Sequence, residues 1–392
     1  MNRIYLDHAA TTPVKPEVLD AMMPYFTQSF GNPSSIYQVA QINKKAIDDA
    51  RETIAKHLGA NTNEIFFTSG GTEADNWAIK GIVEANKNKG NHIITTKIEH
   101  HAVLHTCEYL EKQGFEVTYL DVNEEGVIDL EALKAAIKDT TILISIMYAN
   151  NEVGTIMPIK EIGAIAKEHG IAFHTDAVQA IGQVRIDVKE QNIDALSLSG
   201  HKIYGPKGIG VLYIRRGLRI TNLIHGGAQE RGRRAGTENV PAIVGIAKAM
   251  ELAYTDFEAK NERIKGLRDK LMNGILESIP YSKLNGSSTN RLVNNVNIGF
   301  EFVEGESLLL LLDMNGVAAS SGSACTSGSL DPSHVLLALG LPHEKAHGSL
   351  RLTLGEGTTE QDVDYVLEKL PAIVQRMRDM SPLYEEFMKN NQ

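Results

Sequence analysis

Cysteine is almost absent from this chain: its 392 residues hold only Cys107 and Cys325. That count excludes a disulfide framework and a Cys-rich structural zinc site, and it points to a reducing, cytoplasmic setting. Basic charge is also in deficit. The 39 Lys and Arg against 49 Asp and Glu leave a net charge of -10, the wrong sign for a protein that coats nucleic acid or an anionic membrane. No direct nucleic-acid partner is expected. Long apolar runs are missing too: the stretches 142–149, broken by Ser145, and 308–312 fall far short of the ~20 residues that span a bilayer. Residues Met1 to His8 carry no apolar core of a secretory signal and an acid too early for a transit peptide, so the chain is expected to be mature as it stands. No internal repeat, low-complexity tract or floppy linker is visible.

The composition that remains is that of a folded globular protein, with 42% hydrophobic and 22% charged residues. At roughly 100 to 200 residues per domain, the length predicts two or three domains. From about residue 40 to 215, amphipathic stretches alternate with short apolar runs, the pattern of repeated beta-alpha units and a mainly parallel sheet. Strands are predicted at 64–68, 92–96, 116–120, 141–147, 171–175, 195–199 and 211–214, with helices such as 41–58 and 159–168 between them. Beyond Val240 a long helical stretch runs to about Glu277, residues 294–300 alternate as a strand, and helices return after Glu304 and Thr359. The expected fold class is therefore α/β. A large domain over 15–256 has helices flanking a mainly parallel sheet, and a smaller α+β domain covers 257–392 together with 1–14. A small-molecule site is expected where the two meet.

Three segments carry chemistry. Residues 65–76 (Ile-Phe-Phe-Thr-Ser-Gly-Gly-Thr-Glu-Ala-Asp-Asn) read as strand, glycine turn and helix, which aims free backbone N–H groups and a helix dipole at one point, where an anion should sit. The Lys of a Walker loop and the spacing of a dinucleotide fingerprint are both missing, so a plain tight turn with Thr72 capping the helix accounts for this segment equally well. In 196–208, Lys202 lies just past a strand end, at the carboxyl edge of the sheet, a place suited to imine chemistry with a carbonyl cofactor. Lys207, its competitor, sits in a Pro-Lys-Gly turn. In 171–179 a buried strand delivers Asp176 at its carboxyl end, and a buried carboxylate needs a partner such as a protonated pyridine nitrogen. Lysine, carboxylate and anion-binding turn together make the set that pyridoxal phosphate requires.

Cys107 recurs with Val103, Leu104 and Leu110 at helical spacing and reads as a core residue. Cys325 sits instead in Ser-Ser-Gly-Ser-Ala-Cys-Thr-Ser-Gly-Ser, with no apolar face, and reads as an exposed nucleophile or else an unpaired surface thiol. His100, His101 and His105 cluster, but the His-Glu-x-x-His pattern is absent and no close set of three or four ligands is visible, so no metal is expected. His100, beyond the strand at 92–96, is better suited to acid/base work or ring stacking. The basic loop with Arg231, Arg233 and Arg234 reads as a subunit contact rather than a phosphate or RNA contact. Arg351 lies on an apolar alternating strand, where a guanidinium needs a carboxylate that a substrate would supply.

Ordered motifs run end to end: Tyr-Leu-Asp-His-Ala-Ala-Thr-Thr at 5–12, Gly-Asn-Pro-Ser-Ser at 31–35, then 68–76, Asn-Asn-Glu-Val-Gly at 150–154, 199–210 and 320–327. On these motifs the sequence resembles the cysteine desulfurases of the NifS/IscS type, a branch of the class V aminotransferases among the fold-type I pyridoxal phosphate enzymes. The resemblance implies pyridoxal 5'-phosphate held covalently by Lys202, with Asp176 at the pyridinium nitrogen, Gln179 at the ring hydroxyl and His100 against the ring. Gly71, Thr72, Ser199 and His201 would bind the phosphate. It also implies a homodimer in which Thr237 reaches the phosphate of the neighbouring subunit, and a substrate carboxylate held by Asn151 and Arg351.

The implied reaction turns L-cysteine into L-alanine. Lys202 removes the alpha proton, Cys325 attacks the substrate sulfur and keeps it as a persulfide, and His100 carries a proton. The context of Cys325 resembles the IscS/NifS subgroup rather than the SufS subgroup, which implies several sulfur acceptors, an iron-sulfur scaffold protein or a tRNA-thiolation enzyme among them. The competing readings are another class V activity, an aminotransferase or selenocysteine lyase that shares Lys202 and Asp176 but has no need of Cys325, and a non-catalytic docking protein, against which the joint presence of Lys202, Asp176 and Arg351 argues.

Overall fold

The computed structural model describes residues 3–321 and 332–390, so Cys325 lies outside the described residues. A short strand β1 (Ile4–Tyr5) precedes the seven strands of one sheet: β2 (Ile65–Thr68), β3 (His92–Thr96), β4 (Glu116–Leu120), β5 (Thr141–Ser145), β6 (Ala172–Asp176), β7 (Ala195–Ser199) and β8 (Gly210–Ile214). Their spatial order is β2-β8-β7-β6-β5-β3-β4. The strands β4, β3, β5, β6 and β7 pair in parallel, as the alternating pattern predicts. β8 alone runs the other way, antiparallel to both β7 and β2. The reason is the connection: only residues 200–209, a short 3-10 turn and a loop, separate β7 from β8, whereas a parallel return needs a crossover of a dozen residues or more.

β5, β7 and β8 are buried along their whole length; β8 reads as a continuous apolar run, whereas β7 alternates Leu with small serines that are buried all the same. Helices cover both faces. Gln38–Leu58 buries Ile47, Ile54 and Leu58 and packs along Val240–Tyr254. Gly71–Asn86 packs beside His101–Glu111 over the other face, with Trp77 and Cys107 in a separate core cluster. Cys107 is fully buried there, as its helical spacing predicts.

Beyond Val240 the single predicted helical stretch is two helices, Val240–Tyr254 and Phe257–Ser278. The chain breaks at Asp256, whose φ of 49° lies in the left-handed region, and neither Pro nor Gly marks that break in the sequence. Strands β9 (Ser282–Leu284), β10 (Asn295–Phe300) and β12 (Ser349–Thr353) form an antiparallel sheet in the order β12-β10-β9, while β11 (Val317–Ala318) pairs with β1. This region has its own core, in which Leu6 from the start of the chain joins Leu271, Val296, Ile298, Leu350 and Leu370. Among the described residues no helix is long and apolar enough to cross a membrane.

Candidate active site

The carboxyl ends of β2, β3, β6 and β7 point to one region, the usual ligand edge of a parallel sheet. β2 leads into Ser69, Gly70 and the helix Gly71–Asn86. The N-cap of that helix is Gly70 with no side-chain cap, so Thr72 sits exposed inside the first turn and does not cap the helix. The first-turn N–H groups have no carbonyl one turn back to bind, which leaves them free for an anion. Glu73 braces the turn from below: its carboxylate accepts the Ser69 N–H at 2.8 Å and two N–H groups of Arg234 at 2.8 and 3.0 Å. Arg234 of the basic loop thus has its partner within the chain. A cavity of about 390 Å³ opens over the turn, walled by Ser69, Gly70, Gly71, Thr72, Ser199, His201 and Lys207 among others.

Lys202 follows β7 in a short 3-10 turn and donates from Nζ to the carbonyls of Ala9 and Ala10 at 2.5 and 2.8 Å. Gln179 Nε2 donates to the same Ala9 carbonyl at 3.0 Å, and a His201 ring nitrogen lies 3.1 Å from Thr11 Oγ1. The Ala9–Thr12 segment therefore lies across the predicted lysine, glutamine and histidine together. Burial lowers the His201 pKa to about 4, and nearby Lys202 and Lys207 add to the effect. Lys207 is exposed, before Gly208 at φ 78°.

Asp176 ends β6, buried, with Oδ1 accepting the Val178 N–H at 2.9 Å. Burial raises its pKa to about 6, opposed by that N–H and by Lys202. Beneath it lies an acidic group that the motif alone does not reveal. Asp75 on the Gly71–Asn86 helix is buried, its Oδ1 has no hydrogen-bond partner, and it lies 3.6 Å from Nε2 of the buried His174. Burial and the neighbouring Asp176 push the Asp75 pKa well up. Glu99 is a third buried acid, raised to about 8 chiefly by burial, with Oε1 accepting the Met147 N–H at 3.0 Å and the Thr96 hydroxyl at 2.7 Å.

His100 is the N-cap of His101–Glu111: its Nδ1 accepts the Ala102 N–H at 3.1 Å. Burial lowers its pKa to about 4, with Lys202, His334 and His105 adding to the effect. The His101 ring centroid lies 4.9 Å from that of His105 and 4.8 Å from that of His334, and His334 Nε2 donates to the Glu99 carbonyl at 2.9 Å. His334 is invisible to sequence reasoning because it stands 235 residues from its partner. Among the described residues no three or more His, Cys, Asp or Glu side chains are arranged to hold a metal ion.

Arg351, buried on β12, already has a carboxylate. Nη2 donates to Asp7 Oδ1 at 3.0 Å and Nη1 to the Asn151 backbone carbonyl at 3.1 Å, which leaves Nε without a partner. The expectation of an unmatched guanidinium thus gives way to one held in place by Asp7. Ser320 exchanges backbone hydrogen bonds with Arg351 at 2.7 and 3.2 Å, and Ser333 donates its hydroxyl to Glu152. The described residues on either side of 322–331, the stretch containing Cys325, therefore flank the Asn151–Glu152–Arg351 group. Thr237 is exposed and lines none of this cavity. Larger clefts of about 890 and 790 Å³ lie elsewhere and include neither Lys202, Asp176 nor the glycine turn.

The donor set fits a phosphate-bearing group with a cationic ring nitrogen: a glycine turn open to an anion, a buried carboxyl at the end of β6, and a lysine in the turn after β7. Residues 4–366 match the family described as Aminotransferase class-V. The chain is 62% identical to a protein named Cysteine desulfurase IscS from Clostridium botulinum (strain Hall), an alignment that covers 100% of both. A solved structure described as a NifS-like protein superposes with a TM-score of 0.90 at 39% identity, covering 95% of this chain and 99% of that one. Another, described as SspA in complex with cysteine, gives a TM-score of 0.81 at 42% identity, covering 91% and 100%. The chain belongs to the class V aminotransferase family, on its cysteine desulfurase branch.

Proposed function

We infer that the chain is a cysteine desulfurase that converts L-cysteine to L-alanine and passes the sulfur on through a persulfide on Cys325. The observation that carries this reading is the full-length identity to a relative of that name. Pyridoxal 5'-phosphate is the cofactor of the proposal, and when bound it supplies an electron sink for the substrate alpha carbon. Backbone N–H groups of Gly71 and Thr72, with Ser199 and His201, hold its phosphate. Asp176 pairs with the ring nitrogen, and a cation beside a buried carboxyl draws that carboxyl toward its ionised form. Gln179 meets the ring hydroxyl, His100 packs against the ring, and Lys202 is the covalent anchor. Its Nζ, once released, takes the substrate alpha proton.

Arg351 and Asn151 receive the substrate carboxylate. Asp7 keeps Nη2 occupied, which fixes the plane of the guanidinium. The Cys325 thiolate then attacks the substrate sulfur: the new S–S bond forms as the C–S bond breaks, and the carbon keeps the electron pair. The proposal extends to a homodimer completed by Thr237, a chain divided at 256/257, a cytoplasmic location, and acceptor proteins such as an iron-sulfur scaffold or a tRNA-thiolation enzyme.

The test is to incubate the purified protein with L-cysteine without reductant, weigh it, and assay alanine beside a Cys325→Ala variant. Added sulfur mass on Cys325 with alanine release, both lost in the variant, is the expected outcome. A cofactor-loaded wild type that yields neither overturns the reading, and amino transfer that survives in the variant replaces it with an aminotransferase.

A further inference from the structure

Glu230 and Arg231, in the loop between β8 and the helix Val240–Tyr254, are two consecutive residues other than glycine in the left-handed region, at φ 47° and 58°. Such a backbone is strained in any residue with a Cβ and persists only where the surrounding contacts over-determine it. The contacts here are ionic. The Glu230 carboxylate is buried against Arg51 of the helix Gln38–Leu58, its Oε1 and Oε2 each accepting a guanidinium N–H at 2.8 Å, and the guanidinium lies 4.8 Å from the centre of the Phe67 ring. The same pair meets the backbone of β2. Arg51 Nη1 donates to the Ile65 carbonyl at 2.5 Å, and Glu230 Oε2 accepts the Phe67 N–H at 2.9 Å.

β2 is an edge strand: among the described residues β8 pairs with one side of it and no strand with the other. Every second residue of such a strand turns its backbone polar groups away from the sheet. The Ile65 carbonyl and the Phe67 N–H are such groups. Two residues further on, Glu73 accepts the Ser69 N–H, and Arg234 of the same strained loop grips Glu73 in turn. Side chains therefore stand in for the missing strand, rung by rung, from Ile65 to the start of the glycine turn. On the inner side β8 packs Gly210 against the Gly70 backbone, so outward is the side left for the turn to move, and the ladder closes it. We propose that Glu230 and Arg51 are positioning residues for the cofactor's phosphate. The strained loop swings the Glu230 carboxylate into the open edge of β2, and the ladder shared with Glu73 holds Ser69, Gly70 and Gly71 in the shape that binds an anion. Neither Glu230 nor Arg51 lines the cavity over the turn, so both act through the backbone of β2. The proposal rests on the desulfurase reading for the identity of the ligand, but not for the ladder.

The test compares two double variants of the full chain. Arg51→Met with Glu230→Met removes the ladder's two lower rungs and leaves no charge buried alone; replacing a buried ion pair by apolar side chains of similar size is often neutral or stabilising, so thermal unfolding is expected at or above the wild-type temperature. Arg51→Gln with Glu230→Gln removes the charges but keeps a donor for Ile65 and an acceptor for Phe67. Each protein, stripped of cofactor, is titrated with pyridoxal phosphate and with pyridoxal, which has the same ring and aldehyde but no phosphate. The Met pair is expected to bind pyridoxal phosphate about tenfold more weakly with pyridoxal unchanged, and the Gln pair to recover most of that loss. Equal losses for both ligands, or no loss for either, overturn the proposal. Should the Met pair not fold, Glu230→Asp, which keeps the charge but withdraws the carboxylate from Phe67, takes its place with the same expected split. Amide hydrogen exchange gives a readout that needs no cofactor: Phe67 and Ser69 should exchange about tenfold faster in the Met pair than in wild type, and equal rates sink the ladder. A wild type that binds no pyridoxal phosphate sinks the desulfurase reading, and the exchange rates then decide the ladder alone.

Discussion

Glu99 is a carboxyl group without water, and that sets its pH dependence. Its pKa is raised from 4.5 to about 8, first by burial and further by Asp176, so the native protein holds a proton that the unfolded chain sheds. Stability from this group is therefore complete below about pH 4.5 and is lost as pH rises through about 8. Glu99→Gln keeps the oxygen that meets Met147 and Thr96, and it replaces an Oε2 that has no hydrogen-bond partner. Urea unfolding should show the variant gaining on wild type by the order of 1–3 kcal/mol at about pH 8.5, with no gain near pH 5. A constant difference across that range would mean that Glu99 is ionised throughout. At this scale the sequence reveals Lys202, Asp176 and His100 because each sits within a few residues of a strand end. It does not reveal Asp7 as the partner of Arg351, 344 residues away, nor His334 beside Glu99, since only tertiary packing brings such pairs together.

Among the elements, the glycine turn depends on a strand whose direction the sequence pattern does not carry. The apolar run of β8 is plain in the sequence, but its direction is set by the short turn before it, and period-two patterning carries no direction. Its antiparallel run places Gly210 against the backbone of Gly70: a Cβ there would stand 2.6 to 2.8 Å from three Gly70 backbone atoms. Backbone cannot swing aside as a side chain does. Gly210→Ala should push the Ser69–Gly71 turn off its position while the buried β2–β8–β7 pairing keeps the sheet folded. Titration with pyridoxal phosphate, followed by visible absorbance, should show affinity weaker by about tenfold or more, of the order of 1.4 kcal/mol. Unchanged affinity with an intact circular dichroism spectrum would show that the turn plays no part in holding the phosphate. The break at Asp256 was likewise hidden, because a left-handed residue other than glycine leaves no mark in composition.

At the scale of the molecule, the apolar surface is unevenly spread. Phe26, Phe30, Ile36, Tyr37 and Ile42 crowd one stretch before and into the helix Gln38–Leu58, with Ile36 95% and Phe30 73% exposed. Scattered apolar residues are ordinary on a protein surface, but a run of large ones marks an interface. Under the proposed homodimer a second copy of the chain would cover this stretch, and Thr237, exposed and outside the cavity, would be a group lent to the partner's site. Sedimentation equilibrium should therefore give twice the monomer mass for wild type, and the double variant Phe30→Asp, Ile36→Asp should shift toward monomer at micromolar concentration. Charges introduced at two exposed positions disturb no core contact, so its far-ultraviolet circular dichroism should match wild type. The monomer should also bind pyridoxal phosphate about tenfold more weakly, because a phosphate deprived of one charge-assisted or hydroxyl contact loses affinity on that order. A wild type that sediments as a monomer rules out the interface. A double variant that dissociates yet binds the cofactor unchanged keeps the interface and removes Thr237 from the site, which makes each subunit's phosphate pocket complete on its own.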